Sequence, residues 1–441
     1  MCPLPTAAAR SLQREVEPVA SRSIVAILVA AIAAGAATLS APASAQTAPG
    51  VAAGARVSTV GDTLVGAVGG VSVDALGFIY SADFRETVYR IHPDGRAEVF
   101  ATGLYGASGN AVDARGNLYQ ASFNGHHITR IDRHGDQEIV VEGLAGPVGV
   151  AWTPEALYVC NCQANTISRA VPRGEVTTFA ESPLFACPNG ITRAPDGNLY
   201  VVNFGDDRVL RVSPDGEVSE FARLPGGGNG HITFARGDLY ATSFRGHRVY
   251  RVGLDGQVTL FAGTGAAGEM DGPALEATFT FPNGIAAGAA GDRLYINDYI
   301  NRSPPGLAIP PVPKSTVRVV KLPSISDVMA AALRAGGIER LEAAYRDFKT
   351  APATAGLFTE IEVNAVGYAL MGAGNLAAAK KVFELNAESY PNSWNVWDSL
   401  AEVHMNAGDG ERAIELYEKS LALNPSNTNA TRMIARIEGG A

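Results

Sequence analysis

One phrase recurs along more than half of the chain, and its period restricts the fold more than any other feature. A tyrosine opening a short apolar strand stands at Tyr80, Tyr119, Tyr158, Tyr200, Tyr240 and Tyr295, at intervals of 39, 39, 42, 40 and 55 residues. Three positions after each comes a small polar residue: Asp83, Ser122, Asn161, Asn203, Ser243 and Asp298. One position further stands Phe84, Phe123, Phe204, Phe244 or Tyr299, with Cys162 as the exception. An alternating run follows, such as Val88-Tyr89-Arg90-Ile91, then a turn such as Pro93-Asp94-Gly95, then a run ending in Phe100, Phe179, Phe221 or Phe261. Four antiparallel strands per ~40 residues make a propeller blade. The count predicts an all-β six-bladed propeller over residues 56–322. The sixth unit lacks a fourth strand after residues 317–322, and the segment 56–60 has the fourth-strand pattern. That N-terminal strand is expected to pair into blade six, removing an otherwise open sheet edge.

The N-terminus reads as an export signal. Arg10, Arg14 and Arg22 precede an apolar run from Ile24 to Ala37, short for a membrane span, and Ala43-Ser44-Ala45 has the cleavage pattern. Residues 1–45 are therefore expected to be a signal peptide and 46–55 a linker, leaving a periplasmic or secreted protein. An uncleaved anchor is the alternative, and membrane contact is expected only through this segment. The early segment is long and carries Glu15 and Glu17, so the true start of translation stays open. A net charge of -9 without a basic stripe argues against nucleic-acid partners. No Gly-x-Ser-x-Gly elbow, phosphate loop or dinucleotide fingerprint occurs.

Beyond residue 322 the periodicity becomes helical. Leu370, Gly374, Ala379, Phe383 and Pro391 are answered 34 residues later by His404, Gly408, Ala413, Tyr417 and Pro425. This pattern resembles the tetratricopeptide repeat and implies a small all-α module over residues 359–441, after a linker and degenerate helical pair at 323–358. Such a module cannot bury its faces alone, so it is expected to dock on the propeller or on a protein partner.

Strand direction places the first-strand Asn-Gly positions and the polar residues three after each tyrosine at one mouth of the channel. Asn189, Asn229 and Asn283, with Ser108, share that mouth with Asp83, Asn161, Asn203 and Asp298. Such oxygens suit a hard divalent cation, Ca²⁺ above all, with Asn189, Asn283, Asp298 and Asp83 as ligands. The other reading is turn and capping chemistry for the same residues. Asn161, Asn203, Asn229, Ser122 and Ser243 are candidates for binding a small ligand or peptide. His231, His247 and His126 are candidate general bases or zinc ligands on the same side. Cys162 and Cys187 fall on one face of adjacent blades, so a disulfide between them is expected, with an unbonded pair as the alternative.

The repeat is similar to the NHL type, and the propeller resembles the SMP-30/gluconolactonase group. The stretch Gly263 to Pro273, with Ala277, Phe279 and Pro282-Asn283-Gly284-Ile285, carries the likeness. The lactonase resemblance implies a metal held by an Asn of a Pro-Asn-Gly turn (Asn189 or Asn283) and an Asp three after the tyrosine (Asp298 or Asp83). The early glutamate of that family is replaced by Gly66-Ala67-Val68-Gly69-Gly70. The expectation is thus an exported ligand-binding and interaction protein. A divalent-metal-dependent lactonase-type hydrolase is the alternative, and a streptogramin-lyase-like activity a third reading.

Overall fold

The computed structural model describes residues 55–300, 313–350, 354 and 357–439. Residues 1–54, which hold the expected signal peptide and nearly all of the linker, and residues 301–312, a proline-rich insertion of blade six whose pattern suits a lid over the channel or a docking strap, lie outside them. Six sheets form the propeller. Their innermost strands are Val71–Val73, Ala107–Val112, Pro147–Trp152, Pro188–Arg193, Asn229–Ala235 and Ile285–Ala287. Blades one to five are each a four-stranded meander. Blade six takes its outer strand, Arg56–Val65, from the N-terminus, antiparallel to Lys314–Lys321. The expected ring closure is therefore present, and Gly272–Pro273 adds a short fifth strand outside it.

The recurring residues have plain physical work. In blades one, three, four and five the tyrosine ring packs against the fourth-strand phenylalanine of its own blade, with centroids 5.1 Å apart for Tyr80 and Phe100 and 4.9 Å for Tyr200 and Phe221. Such pairs are worth roughly 0.5–1.5 kcal/mol beyond area burial. In blades one, two and four the tyrosine hydroxyl donates to the aspartate of the first hairpin, at 3.2 Å from Tyr80 to Asp74, 3.4 Å from Tyr119 to Asp113 and 2.8 Å from Tyr200 to Asp196, whereas the Tyr240 hydroxyl is buried without a partner. One aromatic side chain thus fixes both the outer strand and the inner turn.

Blades meet through backbone at the axis. Counting from the residue opposite the position after each repeat tyrosine (Val71, Asn110, Val150, Ile191, Ile232, Ile285), the preceding residue is Gly70, Gly109, Gly149, Gly190, His231 or Gly284. A Cβ at Gly149 would stand 2.1 Å from the Asn189 carbonyl oxygen. At Gly109 it would stand 2.2 Å from that of Val148, and at Gly284 2.6 Å from the Val71 nitrogen. None of these glycines has a positive φ. They are required for the approach of neighbouring blades, not for turn geometry. Backbone hydrogen bonds cross the same joints, from Gly70 N to Ser108 O at 2.8 Å and from His231 N to Asn283 O at 2.9 Å.

Six helices follow among the described residues. Helix α1 (Ile325–Thr350) is broken at Gly336 and Gly337, which gives the degenerate pair. The remainder are α2 (Glu360–Gly372), α3 (Leu376–Ser389), α4 (Trp394–Asn406), α5 (Gly410–Leu423) and α6 (Thr428–Glu438). Gly374 and Gly408, 34 residues apart, both take left-handed conformations (φ 78 and 81) where α2 and α4 end. Ala379, Phe383, Ala413 and Tyr417, the small and large positions of the repeat, share one core. The module docks on the propeller through the hairpin turn at Arg236 and Gly237. Arg236 donates to the Pro323 carbonyl at 2.6 Å and pairs with Glu362 at 3.2 Å, while a Cβ on Gly237 would meet Phe358. That turn lies at the far end of the blade-five inner strand from Asn229. The helices therefore sit on the face opposite the predicted mouth.

A Gly149→Ala substitution is expected to cost on the order of 3 kcal/mol, because the atom it meets is backbone that cannot rotate away. Gly372→Ala, where a Cβ meets nothing within 4 Å, is expected to be neutral or stabilising by up to about 1 kcal/mol. Chemical denaturation of the two variants beside the parent protein checks the contrast.

Candidate functional site

The mouth lies where inner strands begin and second strands end. Pro188 pairs with Asn203, Asn229 with Ser243 and Pro147 with Asn161, so the two predicted sets of polar residues do share one end of the blades. Most of their polar atoms already have partners. Asn189 donates through Nδ2 to the carbonyls of Asn229 (3.1 Å) and Gly230 (2.7 Å) in the next blade. Asn283 does the same to Val68 and Gly69, each at 2.9 Å. Because carbonyls only accept, these contacts fix the amide orientation and turn Oδ1 away. Asn161 accepts from Ala145 N and donates to Ser168, Asn203 donates to the Leu184 carbonyl, and Ser243 donates to Pro225 O. The hydroxyl oxygen of Ser122 is buried without a partner.

The carboxylates expected to hold a cation are likewise engaged. Asp298 and Arg318 are both fully buried, with Nη1 3.2 Å from Oδ2, and the Thr280 amide donates to the other oxygen at 2.7 Å. Arg318 also reaches Asp271 at 2.7 Å and lies over the Phe279 ring. Burial raises the Asp298 carboxyl well above the usual carboxylate range, against the pull of Arg318 and the Thr280 amide. A divalent cation at Asp298 would have to displace a guanidinium from a closed site. Asp83 caps its loop, accepting from Arg85 N (2.7 Å) and Thr87 N (3.0 Å) through Oδ1. Burial raises its carboxyl too, opposed by those amides. Among the described residues no group of three or more His, Cys, Asp or Glu side chains converges as a metal site would require.

The three histidines separate into two kinds. His126 accepts from Gly146 N and His247 from Phe281 N, each through Nδ1 at 3.1 Å. Asn165 fills the same place between blades three and four, accepting from Cys187 N at 2.7 Å. All three have positive φ, and all latch one blade to the next. His231 is different. It holds the ring position that is glycine in the other five blades, and its Cε1 lies 2.9 Å from where a Cβ of Gly109 would be, three blades away. The imidazole therefore stands on the axis. It is 8 % exposed, its Nε2 has no hydrogen-bond partner, and burial pushes its pKa down to about 4. The sequence places His231 directly after Asn229-Gly230, which hides its substitution for the ring glycine. The one-residue offset of Ile232 from the other first-strand positions was the available signal.

Two further features complete the mouth. Cys162 and Cys187 are disulfide-bonded, joining blades three and four as expected, while Cys160 is buried and free. At the joints of blades one and two, four and five, and five and six, aromatic rings pack on one another in a largely buried collar. Phe84 packs on Phe123 with centroids 5.8 Å apart, and Phe244 packs on both Phe204 (5.7 Å) and Phe281 (5.0 Å). Tyr299 and Val68 join the same apolar cluster, and Arg245 lies over Phe204. The rim is more aromatic than the polar positions alone suggested, and the disulfide stands where the aromatic series is interrupted.

Residues 73–275 match the Virginiamycin B lyase family, and residues 394–437 match a tetratricopeptide repeat. No curated protein matches the chain. An auxiliary nutrient binding protein from Bacteroides thetaiotaomicron is 16% identical, with a TM-score of 0.51 over 60% of this chain and 76% of that one. One from Bacteroides ovatus is 15% identical, with a TM-score of 0.50 over 61% and 77%. A gluconolactonase from Xanthomonas campestris is 20% identical, with a TM-score of 0.47 over 61% and 90%. At these identities the likeness shows the fold.

Two measurements test this description. Arg318→Leu leaves Asp298 buried without its counter-charge and is expected to cost roughly 3–5 kcal/mol. Adding Asp298→Asn should recover a large part, which thermal unfolding of the single and double variants would show. For His231 the folded pKa is depressed below the ordinary value of 6.5. Its contribution is therefore fully present above pH 6.5 and is lost as pH falls toward about 4. The loss is bounded at on the order of 3 kcal/mol. His231→Gln should flatten that part of the stability–pH curve.

Proposed function

We propose that this chain is an exported binding protein. Its propeller mouth receives a small ligand or peptide, and its helical module makes contact with a protein partner. The observation that carries this reading is the commitment of the polar groups. Asp298 is held by Arg318, Asp83 by loop amides, and His126 and His247 by amides of the following blade. Side chains fixed in this way build a rigid rim, packed beneath by the buried Phe123, Phe244 and Tyr299, with Phe84 and Phe204 partly exposed on it, as a preorganised recognition surface requires. Hydrolytic chemistry needs a base and a charge-stabilising group converging on one point. The two Bacteroides propellers of this fold are named for nutrient binding, which is the class of role proposed here.

The helical module supports the second half of the proposal. It packs on the face opposite the mouth, so ligand and partner would occupy separate ends. Ile361 and Tyr368 on α2 remain exposed. Export would follow from cleavage near Ala45, and the Cys162–Cys187 bond suits an oxidising compartment.

One observation favours an enzymatic reading, that of a metal-dependent lactonase-type hydrolase or a lyase. His231 is neutral at physiological pH and carries an unpartnered nitrogen on the axis. Asn189 and Asn283 also keep their carboxamide oxygens free of hydrogen-bond partners among the described residues, and Ca²⁺ would have to rely on such neutral oxygens.

Calorimetric titration of Ca²⁺ and Zn²⁺ into metal-stripped protein, alongside assays of lactone hydrolysis, separates the two. The binding reading expects no turnover and no tight cation binding. Tight one-site binding lost in Asn283→Ala, with turnover lost in His231→Gln, would replace it with the enzymatic one.

A further inference from the structure

Three cations stand side by side where the ring closes. The register of blade six places Arg56 opposite Lys321, and Lys321 opposite Arg293, on three adjacent strands. Residues directly opposed in an antiparallel pair share a face, and like charges so placed destabilise the sheet. All three side chains line one groove of about 680 Å³ between blades six and one. Ser58 and Tyr295 continue the same face, and Ile79, His92 and Pro93 form the opposite wall.

The neighbouring acids do little to offset this row. Lys321 lies 3.2 Å from Asp327, but both side chains are more than half exposed. Arg293 lies 3.4 Å from Asp292 and is itself about half exposed. Exposed pairs of this kind contribute little. Arg56 has no side-chain partner among the described residues. Asp271, the acid within the groove, is taken by Arg318 and by the amide and hydroxyl of Thr59. His92 is occupied by Glu98 and Arg96. In a chain of net charge -9, a partly uncompensated cationic row inside a concave surface is an unusual concentration of one sign.

We infer that this seam groove binds a small ligand carrying a dianionic phosphate. Arginine presents a planar fork and lysine a compact point charge, a combination that matches the several oxygens of one phosphate. The groove has the size of an ordinary small-molecule site. Tyr295, Ile79 and Pro93 line the groove where the remainder of the ligand would lie. Because Arg56 belongs to the N-terminal strand and its two neighbours to the strands it closes upon, the bound anion would also fasten the seam. This site is independent of the mouth, and its test does not depend on what the mouth binds.

The test is calorimetric titration and thermal unfolding of the full chain with inorganic phosphate, against chloride at matched ionic strength. The expected result is a phosphate-specific rise in melting temperature, with affinity weakened at least tenfold in Arg56→Gln and again in Arg293→Gln. In phosphate-free buffer the row is a cost, so Arg56→Gln should melt no lower than the parent protein. A phosphate effect equal to that of chloride would overturn the inference. So would a phosphate effect unchanged in both variants, or an Arg56→Gln protein that melts several degrees lower without phosphate.

Discussion

The structure depends on how closely six blades can approach one axis. At five of the six inner positions only a hydrogen atom fits between one strand and the next, and the carbonyl at Asn189 would lie 2.1 Å from any Cβ on Gly149. That closeness lets backbone groups of adjacent blades bond directly. It also brings inner-strand side chains within reach of the next blade's carbonyls. Ser108 reaches Pro147 O at 2.8 Å, and Asn189 and Asn283 extend the same belt. A second belt nearer the mouth is made by His126, Asn165 and His247, each accepting an amide of the following blade. The disulfide crosses the joint that Asn165 also latches.

Those belts account for the behaviour of the candidate site. A polar residue at a strand end can serve a ligand or the scaffold, and buried donors are costly unless satisfied. Here the scaffold takes most of them. What remains toward the mouth is the Ser122 hydroxyl, the carboxamide oxygens of Asn203 and Asn229, and one imidazole on the axis. His231 is also the point where the repeat departs from itself, since glycine holds its place everywhere else. A departure from internal symmetry at the axis is where function is expected to concentrate, because the scaffold has no need of it.

Much of the architecture was legible in the chain itself. The tyrosine period gave six blades, the unmatched segment at Arg56 gave the closing strand, and the 34-residue offset gave the helical pairs. Strand direction put Cys162 and Cys187 on one face of adjacent blades, which left a bond or an unbonded pair open, and the structure holds the bond. The site was less legible, for a physical reason. Asn-Gly signals a turn as readily as a close contact, and the sequence does not say which atoms lie across a joint. Arg318 shows the difficulty well. Nothing in its local pattern marks it as the partner of Asp298, since the two meet only through the register of adjacent strands in blade six. The cationic row at Arg56, Lys321 and Arg293 was hidden for the same reason, its members lying 28 and 265 residues apart along the chain.

The central claim is that the axial ring makes the six blades one cooperative unit. Native-state hydrogen exchange tests it most directly. Amides that cross the joints, those of Gly70 and His231 among them, should exchange only through global unfolding, with one common free energy around the ring. Exchange that proceeds blade by blade, with inner-strand amides opening at distinct free energies, would contradict the account.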